Sequence, residues 1–219
     1  MKTKIMNTNT LKLIAMITMF VDHLGYICFP EQDIFRCVGR IAFPIYAFLI
    51  AEGYCYTKDI KKYRRRLLFS GLTYSVLYYL LFQNIYISVL LTFYVSILII
   101  MLYEKIKNQK DEKKIIGITV IAMITVITML LKFDYAPIGT IIPLCLCLSK
   151  NNKYRIIIYA GLLALLATVN GWAIQYFGLL ALIPLALYNG KKGKLNLKTI
   201  FYIFYPLHII IIKLLSLII

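Results

Sequence analysis

The chain has 219 residues, 61% of them hydrophobic, and 25 lysines and arginines against nine acids give it a net charge of +16. Its mean hydropathy is +0.79, whereas a soluble domain is about half apolar, and the long apolar runs exclude one large soluble core in favour of a polytopic, all-α membrane bundle forming one domain over residues 1–219. Nucleic-acid binding is excluded by where the charge sits, in short loops between apolar runs rather than in a basic stripe with interleaved aromatics.

About nine spans, each near the roughly 20 residues a bilayer needs, follow at 11–29, 35–56, 66–82, 85–103, 115–131, 136–149, 155–170, 172–188 and 199–217. Lys2 and Lys4 resemble the basic region of a cleaved signal peptide. The apolar stretch from Leu11 is long, however, carries Asp22 and His23, and lacks a small-x-small cleavage site, so it is expected to be retained. The second span, "GRIAFPIYAFLIAEGYCYT" from Gly39 to Thr57, should kink at Pro44, whose ring removes a helix hydrogen bond. Arg40 stands near its outer end, and Glu52, Tyr54, Tyr56 and Thr57 make a polar inner end. A short loop joins spans one and two, which makes them neighbours and puts Asp22 and Arg40 at similar depth, able to pair.

Next comes the loop "KDIKKYRRR", with Lys61, Lys62, Arg64, Arg65 and Arg66. Such a cluster commonly holds a loop on the cytoplasmic side or touches anionic lipid. It would equally suit the phosphates of a nucleotide-like cofactor, since Arg recognises phosphate in a bidentate way. "EKIKNQKDEKK" reads as a solvated loop. The sixth span is short and made irregular by Pro137 and Pro143. The five cysteines, Cys28, Cys37, Cys55, Cys145 and Cys147, are read as free thiols, although Cys28 and Cys37 flank the first outer loop. Cys145 and Cys147 are two apart on a helix, with no nearby His, so no metal site is expected.

Basic residues alternate from loop to loop. They crowd the amino terminus, the 58–66 and 105–114 loops, Lys150 to Arg155 and Lys191 to Lys198, and nearly vanish from "FQNIY", "KFDYAP" and "VNGWA". The amino terminus is therefore expected inside a bacterial cytoplasmic membrane and the carboxyl terminus outside.

An ionised side chain in mid-span costs about 2.5–3.5 kcal/mol on insertion scales. The chain places Asp22, His23, Arg40, Glu52, His208 and Lys213 within spans, and His23 and His208 are its only two histidines. A structural reading makes these an ion pair and two hydrogen-bonded rings. A chemical reading makes a histidine the general base, because imidazole exchanges a proton near neutral pH. A third reading, from another class, strings Asp22, Glu52 and the histidines into the proton or substrate path of a transporter.

Three blocks resemble the TraX family of conjugation-associated membrane proteins: "LKLIAMITMFVDHLGYICFP" from Leu11, "GRIAFPIYAFLIAEGYCYTKDIKKYRRRLL" from Gly39, and "IFYIFYPLHIIII" from Ile200. The resemblance implies an acetyltransferase that takes acetyl from acetyl-CoA, the family role being acetylation of the amino-terminal residue of conjugative pilin. It carries over Asp22, His23, Arg40, Glu52, Tyr56, Thr57, Tyr205 and His208. On this reading His23 or His208 is the base, and Asp22 orients an imidazole or balances Arg40. Arg40 or Tyr205 stabilises the oxyanion. The coenzyme's phosphates lie near Lys61, Lys62, Arg64, Arg65 and Arg66. An amine or hydroxyl acceptor enters from the outer face.

Overall fold

A computed structural model describes residues 5–149, 152–194 and 198–218. Every regular element among them is helical, apart from one isolated parallel bridge between Met6 and Tyr188. In chain order these are α1 (Thr8–Cys28), α2 (Asp33–Gly39), α3 (Ala42–Tyr56), α4 (Ile60–Phe82), α5 (Val89–Ile106), α6 (Asp111–Leu130), α7 (Ile138–Leu148), α8 (Asn152–Asn170), a 3-10 segment (Ala173–Ala181), α9 (Leu182–Ala186) and α10 (Lys198–Leu215). By length and composition, four stretches can cross a membrane: Thr8–Cys28, Asp33–Tyr56, Val89–Ile106 and Asp111–Leu130. Ile138–Leu148, Tyr154–Asn170, Ala173–Ala186 and Thr199–Leu215 are apolar but shorter.

The chain divides into two compact units, one of Met1–Leu49 with Asn151–Ile219 and the other of Ile50–Lys150. In the first, α1 packs on α2 and α10, and the 3-10 segment packs on α2 and α8. The start of α1 is fixed by Asn7, whose side chain accepts from the amides of Asn9 and Thr10, two donors a helix start leaves without intrahelical partners. Leu11, Ala15 and Thr18 recur at helical spacing and are buried, and the same stripe continues to Asp22 and Gly25. Two glycines let α1 and α2 approach closely. A Cβ on Gly25 would overlap the Phe35 side chain, and one on Gly39 would overlap the Asp22 carboxylate.

The predicted kink at Pro44 lies elsewhere. The second span breaks into α2 and α3 at a turn over Arg40 and Ile41, and Pro44 falls in the first turn of α3. Amides in a first turn have no intrahelical acceptor, so a proline there removes nothing. Residues 172–188 are a 3-10 segment followed by five residues of α-helix rather than one regular span.

In the second unit α5 packs against α4, α6 and α7. Ile99, Ile100, Ile106, Ile121 and Leu144 form its buried apolar cluster. Helix α4 begins earlier than the predicted third span, with Asp59 accepting from the Lys62 amide at 2.8 Å. Arg64, Arg65 and Arg66 therefore lie within a helix and not in a loop, as fits residues of good helix propensity behind an acidic cap. Of the basic residues that orient the chain, Lys2, Lys4 and Lys150 lie outside the described residues.

Candidate functional site

Asp22 is the hub of the polar cluster in the first unit. Its two carboxylate oxygens are taken by two guanidiniums, Oδ2 by Arg36 Nη1 and Oδ1 by Arg40 Nη2, each at 2.6 Å. Arg36 Nη1 also donates to the Asp22 carbonyl at 3.3 Å. Arg40 Nη1 donates to Gln175 Oε1 at 3.2 Å, which ties in the 3-10 segment. The indole of Trp172 lies 5.4 Å from both guanidinium carbons, and Tyr26 lies 5.1 Å from that of Arg36. Aromatic faces at this range attract cations. One carboxylate and two guanidiniums leave a single positive charge, spread over a buried Arg40 and a partly buried Asp22 and Arg36.

The two histidines meet one residue along. The rings of His23 on α1 and His208 on α10 stand edge to face with centroids 4.9 Å apart. Nδ1 of His23 is 2.9 Å from the Met19 carbonyl, and Nδ1 of His208 is 3.1 Å from the Phe204 carbonyl. A carbonyl only accepts, so each Nδ1 carries the hydrogen, and in the neutral ring the lone pair is on Nε2. Each imidazole, when neutral, then has Nε2 as its basic nitrogen. Phe204 stacks on His208 at 5.3 Å, and the buried Tyr205 approaches it edge-on at 5.8 Å. Pro206, between them, removes an amide from the helix ladder of α10.

The structure thus gathers Asp22, His23, Arg40, Tyr205 and His208 in one unit, and Asp22 pairs with Arg40 as their common depth suggests. Glu52, Tyr56, Thr57, Lys61, Lys62, Arg64, Arg65 and Arg66 belong to the other unit. There Glu52 is buried, Tyr56 is exposed, and Lys61, Lys62 and Arg65 face outward. Arg36, Gln175 and Trp172 were not singled out from sequence. Arg36 carried a readable signal: it stands four residues before Arg40, the spacing that puts two side chains on one side of a helix. Gln175 and Trp172 reach the cluster from far along the chain, and no local pattern marks them. All five cysteines are free thiols, and no group of three His, Cys, Asp or Glu suited to a metal occurs among the described residues.

Fold and site together define a helical membrane protein with an imidazole pair beside an ion cluster of one carboxylate and two guanidiniums. The chain belongs to the TraX family, the model described as TraX protein matching residues 7–216. It is 34% identical over 86 residues to the uncharacterized protein RP591 of Rickettsia prowazekii (strain Madrid E), a match covering 37% of this chain and 33% of that protein. It is 35% identical over 65 residues to the probable fimbrial assembly protein FimC, serogroup H1, of Dichelobacter nodosus, covering 28% of this chain and 27% of that protein. The chain therefore spans about a third of the length of the curated relatives it matches. No solved structure matches it.

Proposed function

We propose that this chain is an integral membrane acetyltransferase of about nine spans, amino terminus inside, that moves acetyl from acetyl-CoA to an amine or hydroxyl at the outer side of the membrane. The observation that carries this reading is the pairing of His23 and His208, the only two histidines, in edge-to-face contact and each hydrogen-bonded through Nδ1. The Nδ1 contacts alone also fit two structural, hydrogen-bonded rings; what favours proton abstraction is that both imidazoles meet, each with Nε2 as its basic nitrogen. Membership of the TraX family supports the same chemistry. The fimbrial assembly relative favours a subunit of a surface fibre as acceptor.

In the proposed step an acceptor nitrogen or oxygen attacks the thioester carbonyl while Nε2 of His23 or His208 takes its proton. The new C–N or C–O bond forms as the C–S bond breaks, and the imidazolium returns the proton to the departing thiolate. Asp22 has both oxygens bound by guanidiniums, so it acts by balancing charge and not as the base. Arg40, with the positive charge left over in the cluster, and the Tyr205 hydroxyl are the groups suited to stabilise the oxyanion.

The test is turnover of radiolabelled acetyl-CoA by the purified protein in detergent, with a fimbrial subunit peptide as acceptor. Label should pass to the peptide, and His23→Gln with His208→Gln should abolish transfer while the protein stays folded. Equal transfer by that double variant would remove the histidines from the chemistry.

A further inference from the structure

In the first unit, lysines gather at the end of α1 opposite the histidines. The loop "NGKKGK", residues 189–194, folds onto the first turn of α1. The Thr8 amide and hydroxyl donate to the Lys191 carbonyl at 2.8 and 3.2 Å, and the Asn189 amide donates to the Met6 carbonyl at 2.8 Å. Gly190 and Gly193 have φ of +75° and +84°, a region that side chains disfavour. A Cβ on Gly193 would also press on the side chains of Asn7 and Asn9. The turn brings the exposed Lys191, Lys192 and Lys194 to the end of the helix that bears Lys12. Lys12 is half-buried, within electrostatic reach of Lys192, with its ammonium 6.0 Å from the Phe201 ring centre. The unit holds just three acids in sequence, Asp22, Glu31 and Asp33, all beyond the middle of α1. Three lysines on this turn and Lys12 on the adjoining helix therefore stand with no carboxylate near them along the chain, an arrangement that an anion would relieve.

Spacing indicates which anion. Lys12 and His23 are three helical turns apart, on the same side of α1, and a rise of about 1.5 Å per residue separates them by roughly 16 Å. Phe201 and His208 share a side of α10 two turns apart. The Lys12–Phe201 and His23–His208 contacts therefore mark two ends of one seam between α1 and α10. Tyr46 of α3 packs edge-on against Phe201 at 5.3 Å, and its buried hydroxyl has no hydrogen-bond partner among the described residues. A buried hydroxyl left without a partner is costly.

We propose that Lys12, Lys191, Lys192 and Lys194 bind the diphosphate of the acyl donor. Its pantetheine arm follows the α1–α10 seam, Tyr46 donates to an amide carbonyl of the arm, and the thioester reaches the histidine pair. This rests on the acetyl-CoA reading above, and moves the phosphates from the Lys61–Arg66 cluster to the unit that contains the histidines.

The experiment is a calorimetric titration of coenzyme A into the full-length protein in phosphatidylcholine nanodiscs. Lys191→Gln/Lys192→Gln/Lys194→Gln changes only exposed side chains and should weaken binding about tenfold or more, the loss expected from one or two charge-assisted contacts. The corresponding triple Arg variant should restore it. Tyr46→Phe should weaken coenzyme A and phosphate-free S-acetylpantetheine alike, whereas the lysine variant should leave S-acetylpantetheine unaffected. Wild-type affinity for coenzyme A in the Gln variant overturns the site, whether or not Arg64→Gln/Arg65→Gln/Arg66→Gln reduces it. The site is overturned equally if the Gln variant loses only its retention of phosphatidylglycerol, which would make the lysines a lipid-headgroup site. A wild-type protein that binds no coenzyme A instead removes the acetyl-CoA reading, and this site with it.

Discussion

Replacing Asp22 by Asn keeps the shape of the side chain and deletes its charge. In the native cluster one carboxylate stands against two guanidiniums, a balance of +1; the variant leaves +2 among side chains that are 8–18% exposed. Removing one partner of a buried ion pair typically destabilises by about 3–5 kcal/mol, because the remaining charge stays desolvated. Set against a whole-protein stability of about 5–15 kcal/mol, that loss is large. Adding Arg36→Gln returns the balance to +1 and leaves Arg40 with the amide of the new residue and with Gln175. The double variant should therefore recover about 0.5–3 kcal/mol of the loss, the usual range of coupling between touching residues. The assay is equilibrium unfolding in mixed micelles of increasing SDS fraction. Trp172, the only tryptophan, lies 5.4 Å from both guanidiniums, so its fluorescence reports this cluster directly. An Asp22→Asn variant within about 1 kcal/mol of wild type, or a double variant no better than the single one, would refute the charge-balance reasoning.

His23→Gln should lower acetyl transfer by about 10²–10⁴-fold if its Nε2 is the base, while thermal unfolding stays near wild type; retained activity would pass the role to His208. Gly39→Val should disrupt the ion cluster without touching any charge, because the added carbons meet the Asp22 carboxylate, and a cost of about 1–3 kcal/mol or more should appear in the same SDS titration. Trp172→Ala should cost about 1–2 kcal/mol through the loss of two cation–aromatic contacts, with a double-variant cycle against Arg36 as the check. Reporter fusions should place the amino terminus inside and the carboxyl terminus outside; both on one side would reject the nine-span layout.

The helical class was legible because long apolar runs permit little else, and the Asp22–Arg40 pair was legible because two neighbouring spans set their depths. Arg36 was harder to read. It stands at the outer edge of the predicted second span, just past Glu31 and Asp33, and the short helix α2 turns it toward Asp22. The contact between His23 and His208 depends on how α1 and α10 pack, which single-sequence periodicity does not encode. Pro44 misled because a proline's effect depends on its distance from a helix start, and the start lay at Ala42.

The first unit joins segments from either side of residues 50–150, and this sets an order of assembly during synthesis. Asp22, Arg36 and Arg40 lie within one short stretch, so the carboxylate can pair with both guanidiniums as soon as a single helical hairpin leaves the ribosome. His208 is made far later, about 8–34 seconds on at roughly 5–20 residues per second. Until then His23 has no imidazole opposite it. The nascent chain can thus enter the bilayer with its costly ions already paired and its proposed chemistry still absent.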